Sequence, residues 1–158
     1  MPYYEDLTTI HPSGRLVTVG WLSPEEDFPR GEVDEDVFAR LVEFAANPWQ
    51  PSSPINLEYC GFCRFTGGPG VLTYRNMRIQ IGTNSLYIPD IDYIFVAPSL
   101  LLHYIDAHGY QPPDPFCAAV HNCPSMRSAA YFHDMLHAGL RDVFPSCMGD
   151  PHEGLVCK

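Results

Sequence analysis

Three observations predict an α+β fold with a small mixed or antiparallel sheet and three to four short helices. Patterns along the chain run strand, helix, cysteine turn, hairpin, helices, in blocks rather than in regular strand–helix alternation. Sixteen prolines in 158 residues is about twice ordinary usage, which predicts short elements and long ordered loops. Cys60-Gly61-Phe62-Cys63, read with His103 and His108 downstream, offers two thiols and two imidazoles, the donor set of a structural zinc ion. That set predicts a zinc-knuckle or treble-clef-like element.

Each element has a local reason. Leu16 to Leu22 is rich in β-branched and aromatic residues and reads as a strand. Asp34, Glu35 and Asp36 place negative charge at a helix start, apolar residues from Val37 to Ala45 recur at helical spacing, and Asn47-Pro48 ends the run. Gly67-Gly68-Pro69-Gly70 closes the knuckle. Met77, Ile79 and Ile81 alternate with polar residues, Gly82 to Ser85 reads as a turn, and Leu86 to Ile88 as the returning strand. Tyr93 to Ala97 is a further strand. Ser99 is the expected cap of a helix from Leu100 to His108, with Gly109 after it. Asp114-Pro115 starts another helix, and Ser125 or Ser128 the last, which runs through Ala138. Residues 1–144 are expected to form one zinc-stabilised globular domain, and residues 145–158 an irregular C-terminal tail.

The hydrophobic fraction of 46% suits a chain able to bury one core. Net charge is −10, and seven acids lie between Glu25 and Asp36 against the single Arg30. Such a field repels phosphate backbones, so nucleic acid is disfavoured and a basic protein partner is expected. No apolar run is long enough to span a bilayer, so no membrane association is expected. Met1-Pro2-Tyr3-Tyr4-Glu5-Asp6 lacks both the basic and the apolar region of a signal peptide, which points to the cytoplasm. Thiols stay reduced there, so the cysteines read as metal ligands or core filler. Cys147 and Cys157 are the exception, able to pair if the chain is exported.

Within the candidate zinc set, His103 and His108 are five residues apart, about 140° around an ideal helix and about 7.5 Å along it. One face cannot carry both rings unless the last turn tightens or unwinds before Gly109. Two rival chemistries compete with that reading. A dithiol oxidoreductase at Cys60/Cys63 needs the second cysteine inside a helix that lowers the first thiol's pKa, and Gly67-Gly68-Pro69-Gly70 forbids a long one. A metallohydrolase on the His133-Asp134-Met135-Leu136-His137 segment has i, i+4 histidines, yet its short carboxylate and missing third ligand depart from the zincin pattern. His133 and His137 therefore read as surface residues. His121, Cys123 and Cys117 cluster near that helix, where Cys123 continues an apolar stripe and reads as core, and Cys147, His152 and Cys157 read as a weak metal set.

Tyr3-Tyr4-Glu5-Asp6-Leu7, Val19-Gly20-Trp21-Leu22, Glu58-Tyr59-Cys60-Gly61-Phe62-Cys63 and Ala97-Pro98-Ser99-Leu100 through His103-Tyr104 resemble a family of short, uncharacterised bacterial proteins, a domain of unknown function. The likeness continues through His108-Gly109-Tyr110-Gln111-Pro112-Pro113 and Phe116. It carries no activity. It implies that the knuckle and the His-Tyr helix belong to one design, which supports Cys60, Cys63, His103 and His108 as a single ligand set. A closed four-ligand shell leaves no place for substrate, so the chain reads as acting by binding rather than catalysis. Its charge, size and expected compartment suit a protein of the immunity or antitoxin kind that sets the Glu25–Asp36 surface against a basic target.

Overall fold

A computed structural model describes residues 2–51, 57–63 and 70–157. The fold is α+β, with five helices and three small sheets among the described residues. The main sheet has the order β1 (Leu16–Thr18), β5 (Ile94–Pro98), β4 (Ser85–Pro89). β5 pairs parallel with β1 and antiparallel with β4, so the sheet is mixed. β5 is buried along its whole length. Its unbroken apolar run reflects a strand covered on both faces, where alternation would leave polar groups unsolvated.

The strand expected over Leu16–Leu22 leaves its ladder after Thr18. Gly20 sits at φ +79°, and a Cβ there would lie 2.6 Å from Leu101 Cδ1. The chain nevertheless stays against β5: Val19 N–H donates to Val96 O at 3.1 Å, and Trp21 Nε1–H to the same carbonyl at 3.0 Å.

α1 (Glu35–Ala46) follows its sequence signals at both ends. The Asp34 carboxylate accepts from Asp36 N–H at 2.9 Å, and the helix stops at Asn47. Val37, Phe38, Leu41, Val42, Phe44 and Ala45 are buried. Each large side chain taken out of water contributes about 1.5–3 kcal/mol, which fixes the helix more firmly than propensity alone does.

The expected pairing of Met77–Ile81 with Leu86–Ile88 does not occur. β3 (Met77–Gln80) pairs with β2 (Val71–Tyr74), while β4 joins the main sheet. The tight turn is Arg75-Asn76, with Arg75 at φ +51°. The glycine-bearing segment 82–84 is a crossing between sheets: Gly82, at φ +89°, donates its N–H to Ser99 Oγ at 2.9 Å and accepts from Glu58 N–H at 2.7 Å. Ser99 therefore spends its hydroxyl on Gly82 rather than capping α2 (Leu101–His108), which has no side-chain cap. Gly109, at φ +67°, ends that helix as expected.

α3 (Asp114–Asn122) carries proline in its first turn, and Ser128 caps α4 (Ala129–His137) by accepting from Tyr131 N–H at 3.1 Å. A short α5 (Leu140–Val143) follows. The segment expected to be irregular instead forms an antiparallel hairpin of β6 (Cys147–Asp150) and β7 (Gly154–Cys157). Glycines at 149 and 154 masked its strand pattern, and the Trp49 indole supplies the long-range tie by donating to Leu155 O at 3.1 Å. Trp49 also packs edge-on to Tyr87, Phe132 and Phe144. Cys147 and Cys157 stand opposite each other and are joined as a disulfide, the pairing expected for an exported chain. No helix among the described residues is long and apolar enough to cross a membrane.

Candidate metal centre

Gly82 sets the geometry of this region. Its carbonyl holds Glu58, two residues before Cys60, and its N–H holds Ser99, two residues before α2. The cysteine turn and the histidine helix are thus tied to one backbone unit. Gly61 lets the turn press on Pro24, since a Cβ there would lie 2.8 Å from Pro24 Cγ. Phe62, between the cysteines, packs its ring 5.2 Å from His108 and 5.3 Å from Phe28. Neither Phe62 nor Glu58 has a donor chemistry that marks it as a site residue in the sequence; the signal for Phe62 is an aromatic held between two cysteines of a tight turn.

One ligand atom from each of Cys60, Cys63, His103 and His108 lies within 4.8 Å of all the others. Cys60 Sγ is 3.2 Å from His108 Nε2, and Cys63 Sγ is 3.3 Å from His103 Nε2 and 3.6 Å from His108 Nε2. A tetrahedron with metal–sulfur bonds of about 2.3 Å and metal–nitrogen bonds of about 2.0 Å has sulfur–nitrogen edges of about 3.5 Å. The observed edges bracket that value, so the four residues fit a single divalent ion. The two imidazoles meet despite their five-residue spacing, with ring centroids 5.0 Å apart, because His108 occupies the last residue of α2 where the left-handed Gly109 begins to unwind the chain.

Burial pushes the Cys60 thiol above its ordinary pKa, partly opposed by the Phe62 N–H. Burial lowers the His103 imidazole, and the neighbouring His108 charge adds to that. Without an ion, a neutral thiol and a neutral ring are therefore favoured. Metal binding must displace protons from the sulfurs, so loading the site is coupled to proton release.

This environment opposes the dithiol reading, which needs a thiol pKa below the ordinary value. Cys63 also lies outside any described helix, while residues 64–69, with most of the Gly67–Gly70 closure, lie outside the described residues. His133 and His137 are exposed on α4, as expected. His137 borders an open hollow of about 300 Å³ with Asp134, Asn122 and Asp90, and the His133 ring lies 6.1 Å from that of His152. Cys123 is buried and Cys117 half-buried, with sulfurs near the Pro124 and Pro112 carbonyls. The tail set of Cys147, His152 and Cys157 is ruled out in this form by the disulfide.

A family model described as a domain of unknown function, DUF7919, matches residues 2–121. No curated protein and no solved structure matches the chain. The matched stretch contains all four clustered residues, while α4, α5 and the C-terminal hairpin lie beyond it.

Proposed function

We propose a function from the premise that this chain belongs to the DUF7919 family: it is a zinc-stapled protein-binding module in which Cys60, Cys63, His103 and His108 hold a structural ion. The observation that carries this reading is the set of sulfur–nitrogen edges between 3.2 and 3.6 Å, close to those of tetrahedral Cys2His2 coordination. Two thiolates and two imidazoles favour zinc among abundant divalent ions. When bound, the ion supplies folding energy rather than a Lewis acid for catalysis, because four protein ligands fill its shell. Cys60 and Cys63 anchor the turn, and His103 and His108 anchor α2.

With no open coordination position, the domain acts through its surface. Glu25, Glu26, Asp27, Glu32, Asp34, Glu35 and Asp36 are all exposed. They form a negative face suited to a basic protein partner, as an immunity or antitoxin protein would have. Metal analysis of protein purified without a metal-binding tag tests the centre. One tightly held zinc per chain, kept after His133→Ala and lost after Cys60→Ala, is expected. Absence of that ion from freshly purified protein defeats the metal half. Unchanged affinity of an Asp34→Lys/Asp36→Lys variant for basic proteins encoded beside its gene defeats the binding half.

A further inference from the structure

Two sequence features left unused by that reading are brought together on the surface. His133 and His137 occupy successive turns of α4, an i, i+4 pair that shares one flank of a helix. His152 comes from the turn of the C-terminal hairpin, and its ring lies 6.1 Å from that of His133 at an interplanar angle of 82°. The His103/His108 pair shows the same 82° angle at 5.0 Å. The surface pair stands about 1 Å wider than the pair in the candidate metal centre, 6.1 against 5.0 Å. All three side chains are exposed, so rotamer changes that close the remaining gap are fast and cheap.

The surroundings favour a cation. Asp134, Asp150 and Glu153 are exposed next to these histidines in sequence, adding negative potential to a chain already at −10. The hairpin holds His152 in place at three points. The Asp150 carboxylate accepts from His152 N–H at 2.8 Å, the Cys147–Cys157 disulfide closes the strand ends, and Trp49 fixes Leu155.

We infer that His133, His137 and His152 form a second, surface site for a borderline divalent transition metal such as Zn(II) or Cu(II). Imidazole donors suit these ions, and hard cations such as Mg(II) are disfavoured by the nitrogen set. Three protein ligands leave coordination positions open to water, unlike the Cys2His2 centre. The site is weak, being exposed and only partly preorganised, and it fills after the buried one.

The test is a titration of the intact, oxidised chain with Zn(II), following bound metal by competition with a chelating dye. Two equivalents are expected, the second weaker than the first. His133→Ala, His137→Ala and His152→Ala should each weaken the second equivalent by about tenfold or more. All three should leave the first intact, which also reports that the variants fold. Cys147→Ser/Cys157→Ser should weaken the second step alone, because His152 then loses its fixed position. Nitrogen hyperfine structure in the Cu(II) spectrum of the zinc-preloaded protein should fall with each histidine removed. A single equivalent in the wild-type chain overturns the inference, as does a second equivalent indifferent to His133→Ala and His152→Ala together. Neither result bears on the Cys60 centre, which the first equivalent reports separately.

Discussion

The Tyr110 hydroxyl donates to Asp6 Oδ2 at 2.8 Å, joining two residues separated by 104 positions. The other oxygen of the same carboxylate accepts from Gly20 N–H at 2.9 Å. One side chain near the N-terminus thus braces the chain just after β1 and the chain just after α2. Tyr110→Phe leaves a half-buried carboxylate oxygen without its donor, and denaturant unfolding should show a loss of about 1–3 kcal/mol.

The same carboxylate gives a pH signature. Burial raises the Asp6 pKa, against the lowering by its two hydrogen bonds. In the window between its ordinary value and its raised folded value, the folded chain holds a proton that the unfolded chain has lost. Stability contributed at this position therefore falls as pH rises through that window. Asp6→Asn removes the titration, so its stability relative to the wild type should improve from acid toward neutral pH. Parallel pH profiles for the two proteins, measured by thermal unfolding, would refute this.

Gly82 combines φ +89° with a close approach in which an added Cβ would sit 2.5 Å from Glu58 O. Gly82→Ala must move the backbone that holds both Glu58 and Ser99. A cost of about 1–3 kcal/mol is expected, together with weaker retention of the proposed zinc against a chelator. Gly14→Ala has φ +73° but meets nothing within 4 Å, so it should destabilise through backbone strain while leaving zinc retention unchanged.

The Cys147–Cys157 disulfide closes a short loop, with a sequence separation of 10. In the chain-entropy picture such a loop contributes about 2–3 kcal/mol. The Cys147→Ser/Cys157→Ser chain should lose about that much in denaturant unfolding under oxidising conditions. Under strong reduction the two proteins should converge.

The residues that announced themselves in the sequence did so through local chemistry. α1 was legible from its acidic start, its apolar stripe and Asn47-Pro48; Gly109 and Ser128 marked helix ends for equally local reasons. Cys60, Cys63, His103 and His108 were legible because spacing and donor type narrow the chemistry, and the structure brings all four together. What stayed hidden depended on distant contacts. Met77–Gln80 pairs with Val71–Tyr74 rather than with Leu86–Ile88 because Gly82 turns the chain toward Glu58, a backbone tie with no side-chain pattern. The C-terminal hairpin was hidden because its strands hold glycines and exposed Met148 and Val156, and its anchoring partner is Trp49, far away in sequence. The meeting of His133 and His152 follows from that docking.

Trp49 and Tyr87 fall inside the stretch matched by the family model, yet Tyr131, Phe132, Phe144 and Leu155, which enclose that indole, all come after residue 121. Cutting the chain at the edge of the match would strip the lid from an aromatic nest and leave wet a tryptophan now only 4% exposed.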